Sequence, residues 1–369
     1  MVDGHRKVRF EQNAAIKGRG AASRVPGRFE KRAAVAEDDG WDSLANELAA
    51  DLESRPQTTV TLERARSIIS RNDSPDIAFG QSLNPYRGCE HGCVYCFARP
   101  SHAYLDLSPG LDFETRLYAK RNAAELLRKE LAKPGHVPSA IALGINTDGW
   151  QPIERDEGIS RACLEVLLET RHPVGIVTKG SAILRDLDLL AELAKLRLVH
   201  VMVSVTSLDN QLSSKLEPRA AAPHMRIRMI AKLREAGVPA GVLVAPVIPM
   251  ITDMELEHIL ETAREAGALS AGYVLLRLPH ELKEVWREWL QLHYPQRAVH
   301  VMSLIRQMYG GKDYDSRYGM RGRGEGPFAD LLAARFRRAK QRIGFPGMPA
   351  VDTSLFTPPR EDSPQGALF

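Results

Sequence analysis

The most specific feature of this sequence is the segment Asn84-Pro-Tyr-Arg-Gly-Cys89-Glu-His-Gly-Cys93-Val-Tyr-Cys96. Its three cysteines have the spacing C-x3-C-x2-C, and Gly88 and Gly92 allow the backbone to turn tightly around a bound group. The 369-residue chain has only four cysteines, and the fourth, Cys163, lies in a helical pattern that predicts a buried, inert thiol. A secreted disulfide framework uses an even, dispersed set, so the clustering indicates an intracellular metal or redox site.

Three clustered thiols are compatible with two kinds of metal site. A structural zinc ion usually takes four N or S ligands, which only His91 or His102 could complete here. An iron–sulfur cluster held by three thiolates leaves one iron open to a substrate or cofactor. A cluster used for electron transfer alone would need a fourth ligand, for which Cys163 is poorly placed. The count of three favours a catalytic four-iron cluster, and a zinc-stabilised nucleic-acid-binding protein is the alternative.

Beyond this loop, short apolar runs alternate with segments of helical spacing. The runs are rich in β-branched residues and cover residues 139–146, 173–179, 198–206, 239–248 and 271–278. Such near-continuous apolar runs are typical of buried parallel strands. With one more strand near residues 79–86, they predict six βα units and an α/β fold with a parallel sheet.

Polar residues stand where these predicted strands end, at the edge where ligands of parallel sheets gather. They are Asn146-Thr147-Asp148, Thr178-Lys179, Ser204, Thr206 and Arg277. Asp148 has the alternative role of a turn residue, and Lys179 that of a solvated loop side chain. An unpaired guanidinium in an apolar strand end is costly, so Arg277 is expected to meet an acid or an anionic ligand.

Composition and charge set the wider frame. With 44% hydrophobic and 26% charged residues, the chain can bury a core, which excludes disordered and collagen-like proteins. The net charge of +4 hides nine bases against three acids in residues 1–35, and nine against four in residues 312–342. These regions could bind a nucleic acid, or they could be a flexible arm and the wet face of a helix. No signal peptide or membrane-spanning segment is evident, which predicts a cytoplasmic protein without a membrane partner.

The pattern divides the chain into four parts. Residues 1–75 are expected to be a largely irregular extension with a basic arm and an acidic stretch at 37–53. Residues 76–285 hold the βα units, and residues 286–345 read as helices that pack on them. Residues 346–369 are rich in proline and predict an irregular tail.

The motif C-x3-C-x-aromatic-C, with Tyr95 as the aromatic residue, resembles that of the radical S-adenosylmethionine (SAM) superfamily. Residues 84–89, 147–154 and 276–279 are similar to the spore photoproduct lyase-related, DNA repair photolyase-like branch, and the resemblance covers about residues 78–345. It implies a partial (β/α)6 TIM-like barrel with added C-terminal helices. It also implies a [4Fe-4S] cluster, SAM and an electron donor such as flavodoxin or ferredoxin. The implied reaction is reductive cleavage of SAM to a 5′-deoxyadenosyl radical, which abstracts hydrogen from an unidentified substrate, with nucleic acid as one candidate.

The resemblance assigns roles to individual residues. Cys89, Cys93 and Cys96 would be cluster ligands, and Tyr95 would lie on the adenine or cluster side. Residues 146–148, which include Thr147 and Asp148, replace a Gly-Gly-Glu-like segment near the methionyl amino group. The cofactor contacts of the remaining strands would come from Lys179 at the methionyl carboxylate, Ser204 and Thr206 at the ribose, and residues 245–247 and Arg277 beside the adenosine.

The sequence departs from spore photoproduct lyase itself at two places. That enzyme uses a further cysteine near the end of its second strand as hydrogen donor and has a tyrosine pair just after the cluster. Here residues 144–148 contain no cysteine, and Phe97 follows Cys96. We therefore expect reductive SAM cleavage without repair of spore photoproduct.

Overall fold

The computed structural model describes residues 14–30, 56–77 and 79–359. The acidic stretch at 37–53, the first 13 residues and the last ten residues of the predicted tail lie outside the described residues.

Ten strands form in the described part of the chain. In chain order they are β1 Thr59–Leu62, β2 Ile69–Arg71, β3 Gln81–Leu83, β4 Tyr86–Arg87, β5 Arg116–Ala119, β6 Ile141–Leu143, β7 Val174–Thr178, β8 Val199–Ser204, β9 Ala240–Val247 and β10 Ala271–Leu275. Seven of them make one sheet in the order β10-β9-β8-β7-β6-β3-β2, while β1, β5 and β4 make a small second sheet. The predicted α/β fold with a parallel sheet is confirmed.

The large sheet is an open one. Strands β3, β6, β7, β8, β9 and β10 are all parallel to their neighbours, and only β2 pairs antiparallel, with β3. The two edge strands, β10 and β2, do not pair with each other, so the described strands do not close a barrel. This arrangement brings the carboxyl ends of the six parallel strands to one edge, as the sequence predicts.

Helices follow the parallel strands and cover the sheet. They are α1 Asp112–Thr115, α2 Ala123–Leu131, α3 Glu154–Glu157, α4 Ile159–Glu169, α5 Leu187–Lys195, α6 Asn210–Leu216, α7 Pro223–Glu235, α8 Leu256–Glu265, α9 Leu282–His293, α10 Pro295–Met308 and α11 Gly326–Ile343. Short 3₁₀ helices occupy Arg99–Leu105, Ser181–Asp186 and Asp253–Glu255. The apolar faces of the long helices pack on strands such as β8, whose Val201 and Val203 are fully buried.

The structure adds detail to the predicted division of the chain. Strands β1 and β2 lie within the extension expected at 1–75, and the expected boundary at 285 falls inside α9. Helix α9 packs through its stacked, buried Trp286 and Trp289. Residues 346–359 contain neither helix nor strand. None of the helices in the described residues is long and apolar enough to cross a membrane.

Candidate active site

A cavity opens at the carboxyl ends of the parallel strands. Its walls come from the loop that carries the three clustered cysteines (residues 88–97, the cysteine loop), from the ends of β6 and β7, and from β8, β9 and β10. Nine of the side chains that the sequence predicts for the site line it: Cys89, Cys93, Tyr95, Cys96, Thr147, Asp148, Lys179, Ser204 and Arg277. Thr206, the second residue expected at the ribose, is not among the lining residues.

The cysteine loop folds tightly because two glycines adopt left-handed conformations. The φ angles are 75° at Gly88 and 66° at Gly92. A Cβ atom on Gly92 would lie 2.4 Å from a carboxylate oxygen of Glu114, so a larger residue does not fit. The Cys89 amide donates to the Phe113 carbonyl at 2.9 Å, and the Cys96 amide donates to the Cys93 carbonyl at 3.2 Å. The loop is therefore fixed by its own turns and by α1.

A buried arginine holds this loop from behind. Arg99 has no solvent exposure, and it donates to the carbonyls of Cys93 at 2.8 Å and Gly92 at 3.0 Å. Its guanidinium also pairs with the buried Glu114 carboxylate at 2.9 Å. Because a buried charge is costly without partners, these contacts fix both side chains and the loop between them.

The N-terminal segment closes on the same place. Glu114 accepts hydrogen bonds from the backbone amides of Gly20 and Ala21, both at 2.9 Å. A Cβ atom on Gly20 would lie only 1.9 Å from the Gly92 carbonyl oxygen. The expected flexible basic arm therefore includes a packed part, since residues 14–30 are irregular yet cover the cysteine loop.

The chemistry of the thiols fits an iron–sulfur cluster. All three are free, and burial raises the pKa of Cys89 and of Cys93, so bound positive charge is needed to keep them as thiolates. Within the described ranges, no three His, Cys, Asp or Glu side chains are grouped to hold a single metal ion. His91 instead faces Asp148 at 3.4 Å, and the Nε2 atom of His102 contacts the Arg116 carbonyl at 2.9 Å. These contacts argue against the alternative zinc site.

Asp148 is held by groups of the protein. Its Oδ1 accepts from the Trp150 amide at 2.8 Å and the Thr178 hydroxyl at 2.7 Å, and its Oδ2 accepts from the Lys179 amide at 2.7 Å. Burial raises its pKa, but His91 and these hydrogen bonds outweigh burial and lower the pKa of Asp148 to about 2. The carboxylate therefore joins the ends of β6 and β7 as a turn residue, and its contact with an ammonium group stays a prediction.

Two cations in the cavity have no acidic partner among the described residues. Among the described residues no carboxylate pairs with Lys179, whose ammonium lies 5.8 Å from the centroid of the Tyr95 ring. The guanidinium carbon of Arg277 lies 4.7 Å from the centroid of the Phe97 ring, and its buried Nε has no hydrogen-bond partner in this part of the chain. The cavity is therefore prepared for anionic groups.

Behind Tyr95 lies a buried polar network that the sequence analysis missed. The Tyr95 hydroxyl lies 3.0 Å from Thr206 Oγ1 and contacts Glu217, which pairs with the fully buried Arg226. Burial raises the pKa of Glu217, against the attraction of Arg226. Thr206 thus supports Tyr95 instead of facing the cavity. No short sequence pattern identifies these residues as a network, because they are far apart in the chain and come into contact only in the folded structure.

Comparisons with known proteins agree with this geometry. The family model described as the Radical SAM superfamily matches residues 83–263. Uncharacterised proteins of Mycobacterium tuberculosis and Mycobacterium bovis are 37% identical over 235 residues, covering 63% of this chain and 68% of each relative. An uncharacterised protein of Methanocaldococcus jannaschii is 25% identical over 214 residues, covering 58% of this chain and 76% of the relative.

Among solved structures, spore photoproduct lyases have a similar fold. A mutant with bound AdoMet and dinucleoside spore photoproduct has a TM-score of 0.55 at 16% identity and covers 86% of both chains. Another mutant has a TM-score of 0.54 at 17% identity and covers 87% of both chains. The family match runs from the end of β3 into α8 and includes the three clustered cysteines. The chain therefore belongs to the radical SAM superfamily and is one of its enzymes, with a [4Fe-4S] cluster and SAM as cofactors.

Proposed function

We propose that this enzyme cleaves SAM reductively to a 5′-deoxyadenosyl radical that abstracts a hydrogen atom from its substrate. The observation that supports this most is the placement of three thiols, two of them buried, around one cavity at the carboxyl ends of the strands, together with a lysine that has no acidic partner among the described residues. When bound, the cluster supplies the electron and SAM supplies the radical, and the protein provides binding and orientation.

The cavity residues divide this work. Cys89, Cys93 and Cys96 would hold the cluster and leave one iron without a protein ligand. Lys179 would neutralise the carboxylate of SAM, because it has no acidic partner among the described residues. The Asp148 carboxylate accepts a hydrogen bond from the Lys179 amide at 2.7 Å and thereby fixes the backbone position from which the Lys179 side chain extends.

The adenosine side is formed by less polar groups. The Ser204 hydroxyl donates to the Ala245 carbonyl at 3.2 Å, which leaves its oxygen free to accept from a ribose hydroxyl. Thr147 donates to the Tyr86 carbonyl at 3.2 Å and shapes the turn after β6. The apolar side chains of Val177, Leu243 and Val274 exclude water from the place where a radical would form.

For the substrate, we infer a nucleic acid as the first candidate. Supporting it, a solved neighbour of the same fold holds a dinucleoside spore photoproduct. The basic C-terminal region offers fewer free charges than its composition indicates, since Arg321 pairs with Asp76 and Arg342 with Glu261. A groove beside β10 keeps Arg323 and Arg337 without acidic partners among the described residues, next to the aromatic pair of Tyr273 and Phe336.

This candidate predicts a specific salt dependence. Because each neutralised phosphate of a single strand contributes a slope of about −0.7 to log K against log salt, a few free arginines should give a shallow slope. Fluorescence anisotropy with single-stranded DNA and RNA measures this slope, and Arg323→Gln should make the slope shallower. Absence of binding at low salt would remove nucleic acid as the substrate.

We infer that the reaction is not repair of spore photoproduct. Residues 144–148 line the cavity without a cysteine, and Cys163 is fully buried in α4, away from the cavity lining. Apart from the three predicted cluster ligands, the described cavity wall therefore has no thiol that could donate hydrogen. Efficient repair of spore photoproduct by the reconstituted protein would contradict this inference.

The reaction is tested by anaerobic reconstitution with iron and sulfide, followed by SAM and a chemical reductant. We expect 5′-deoxyadenosine, measured by chromatography, and deuterium transfer into it from the correct substrate. Cys163→Ala is the matched control and should keep the activity. Brown protein that never forms 5′-deoxyadenosine, or colourless protein with one zinc, would overturn the proposal. A flavodoxin or ferredoxin as electron donor stays a prediction. A cytoplasmic location also stays a prediction, and it is supported by the free thiols, which are typical of reducing compartments.

A further inference from the structure

We infer that Arg277 binds the substrate of this enzyme, through an anionic oxygen group that is either a carboxylate or a phosphate. The inference rests on the proposed function, because it assumes that SAM occupies the Lys179 side of the cavity. It revises the expectation that Arg277 lies beside the adenosine.

Arg277 is placed in the cavity as a cation without a counter-charge. It follows β10, whose Val274 and Leu275 line the same wall. The face of its guanidinium lies over Phe97, which comes from the cysteine loop. Its Nε is buried and without a hydrogen-bond partner in the described part of the chain, although such a group normally has one.

None of the described elements next to Arg277 supplies the missing anion. From the end of α10, Tyr309 donates its hydroxyl to the Leu276 carbonyl at 2.8 Å, and burial raises the pKa of Tyr309, so the phenol is neutral. Asp315, the acid near Tyr309, is taken by Arg317 at 2.7 Å. Asp148, the carboxylate in the cavity lining, is held by other groups.

The cofactors do not supply the anion either. SAM carries one carboxylate, which Lys179 would take, together with an ammonium and a sulfonium. A [4Fe-4S]²⁺ core with three thiolates has one negative charge, which the net positive charge of SAM balances. The adenosine portion is uncharged, so it gives a guanidinium no counter-ion. With both cofactors in place, Arg277 still has no counter-charge in the described part of the chain.

A guanidinium fork matches two oxygen atoms of a carboxylate or a phosphate. Held against Phe97, the Arg277 fork is oriented before a ligand arrives, which reduces the entropy lost on binding. The substrate therefore carries such an anionic group close to the hydrogen that it loses.

The first measurement is calorimetric titration of SAM into the reconstituted holoenzyme. Lys179→Gln should weaken SAM binding by about tenfold or more, whereas Arg277→Gln should change it by less than about threefold. Arg338→Gln, an exposed position, is the matched control. Equal loss in the Arg277 and Lys179 variants would show that Arg277 binds the cofactor and would overturn the inference. A cluster-containing wild type that does not bind SAM would overturn the proposed function itself.

The second measurement probes the anion directly, with inorganic phosphate and ¹³C-labelled acetate as separate probes. S-adenosylhomocysteine, which has no sulfonium to cleave, takes the place of SAM so that the cluster stays reduced and paramagnetic. The ³¹P or ¹³C resonance of the accepted anion should then broaden. Arg277→Gln should abolish the broadening, Arg277→Lys should retain part of it, and Arg338→Gln should retain all of it. The probe that broadens more identifies phosphate or carboxylate. Broadening that persists in Arg277→Gln, or that is absent for both anions in the wild type, would overturn the inference.

Discussion

Two arginines near the cavity differ in their partners. Behind the cysteine loop, Arg99 pairs with Glu114 and donates to several backbone carbonyls. Just after β10, Arg277 has neither an acidic partner nor a hydrogen bond at its Nε within the described residues. The residue type is the same, and the partners differ. The partners of Arg99 fix the shape of the cysteine loop, whereas Arg277 is available to bind a ligand.

The largest expected effect comes from removing one ligand of the iron–sulfur cluster, which the cysteine loop is expected to hold. Cys96→Ala should abolish the cluster, so that iron falls from about four per chain to near zero and the absorbance near 400 nm disappears. Cys163→Ala should keep both signals, because Cys163 is buried away from the cavity lining. Full iron content in Cys96→Ala would show that this thiol is not a ligand.

Breaking the ion pair behind the loop should have the next largest effect. Arg99→Met leaves the Glu114 carboxylate buried without its partner, which should lower the free energy of unfolding by about 3–5 kcal/mol. Urea denaturation of the apoprotein measures this change. The control is Arg128→Met, which removes an exposed pair with Glu169 and should cost less than about 1 kcal/mol. Equal costs for both variants would mean that the cysteine loop does not depend on the buried pair.

For Lys179, the other cavity cation without an acidic partner among the described residues, the expected loss appears in ligand binding and not in folding. Lys179→Gln removes a charge-assisted hydrogen bond worth about 1.5–3 kcal/mol, which corresponds to about 10- to 150-fold weaker SAM binding. Its free energy of unfolding should stay within about 0.5 kcal/mol of the wild type. A large loss of stability with unchanged SAM affinity would place Lys179 with Arg99 as a structural cation.

The smallest expected effect comes from residues 14–30, the N-terminal segment that covers the cysteine loop. Gly20→Val places side-chain atoms against the Gly92 carbonyl, where even a Cβ would lie 1.9 Å away. Forced repacking should cost about 1–3 kcal/mol and speed the loss of iron from the reconstituted protein. Ala15→Val, at an exposed position of the same segment, is the control. An iron-loss rate equal to that of the control would mean that the cover does not protect the cluster.

Much of the site could be predicted from the sequence because its signals are local. The cysteine motif is read within 13 residues, and four of the five apolar runs mark strands whose ends carry polar side chains into the cavity. Parallel strands bring those ends together whatever the details of the loops.

The supporting contacts could not be predicted, because they join distant positions. Gly20 meets Glu114 across 94 residues, and Tyr95 meets Glu217 across 122 residues. The sequence shows neither that Asp148 is held by its neighbours nor that Arg277 lacks an acidic partner. Both facts depend on which side chains the fold places within hydrogen-bonding distance.

The central claim is that three thiols leave one iron free to bind SAM. It is tested most directly by electron–nuclear double resonance of the reduced protein with SAM labelled by ¹⁷O in its carboxylate. A hyperfine coupling from the label to the cluster is the predicted result. An intact, reduced four-iron cluster that binds SAM without any such coupling would contradict the claim.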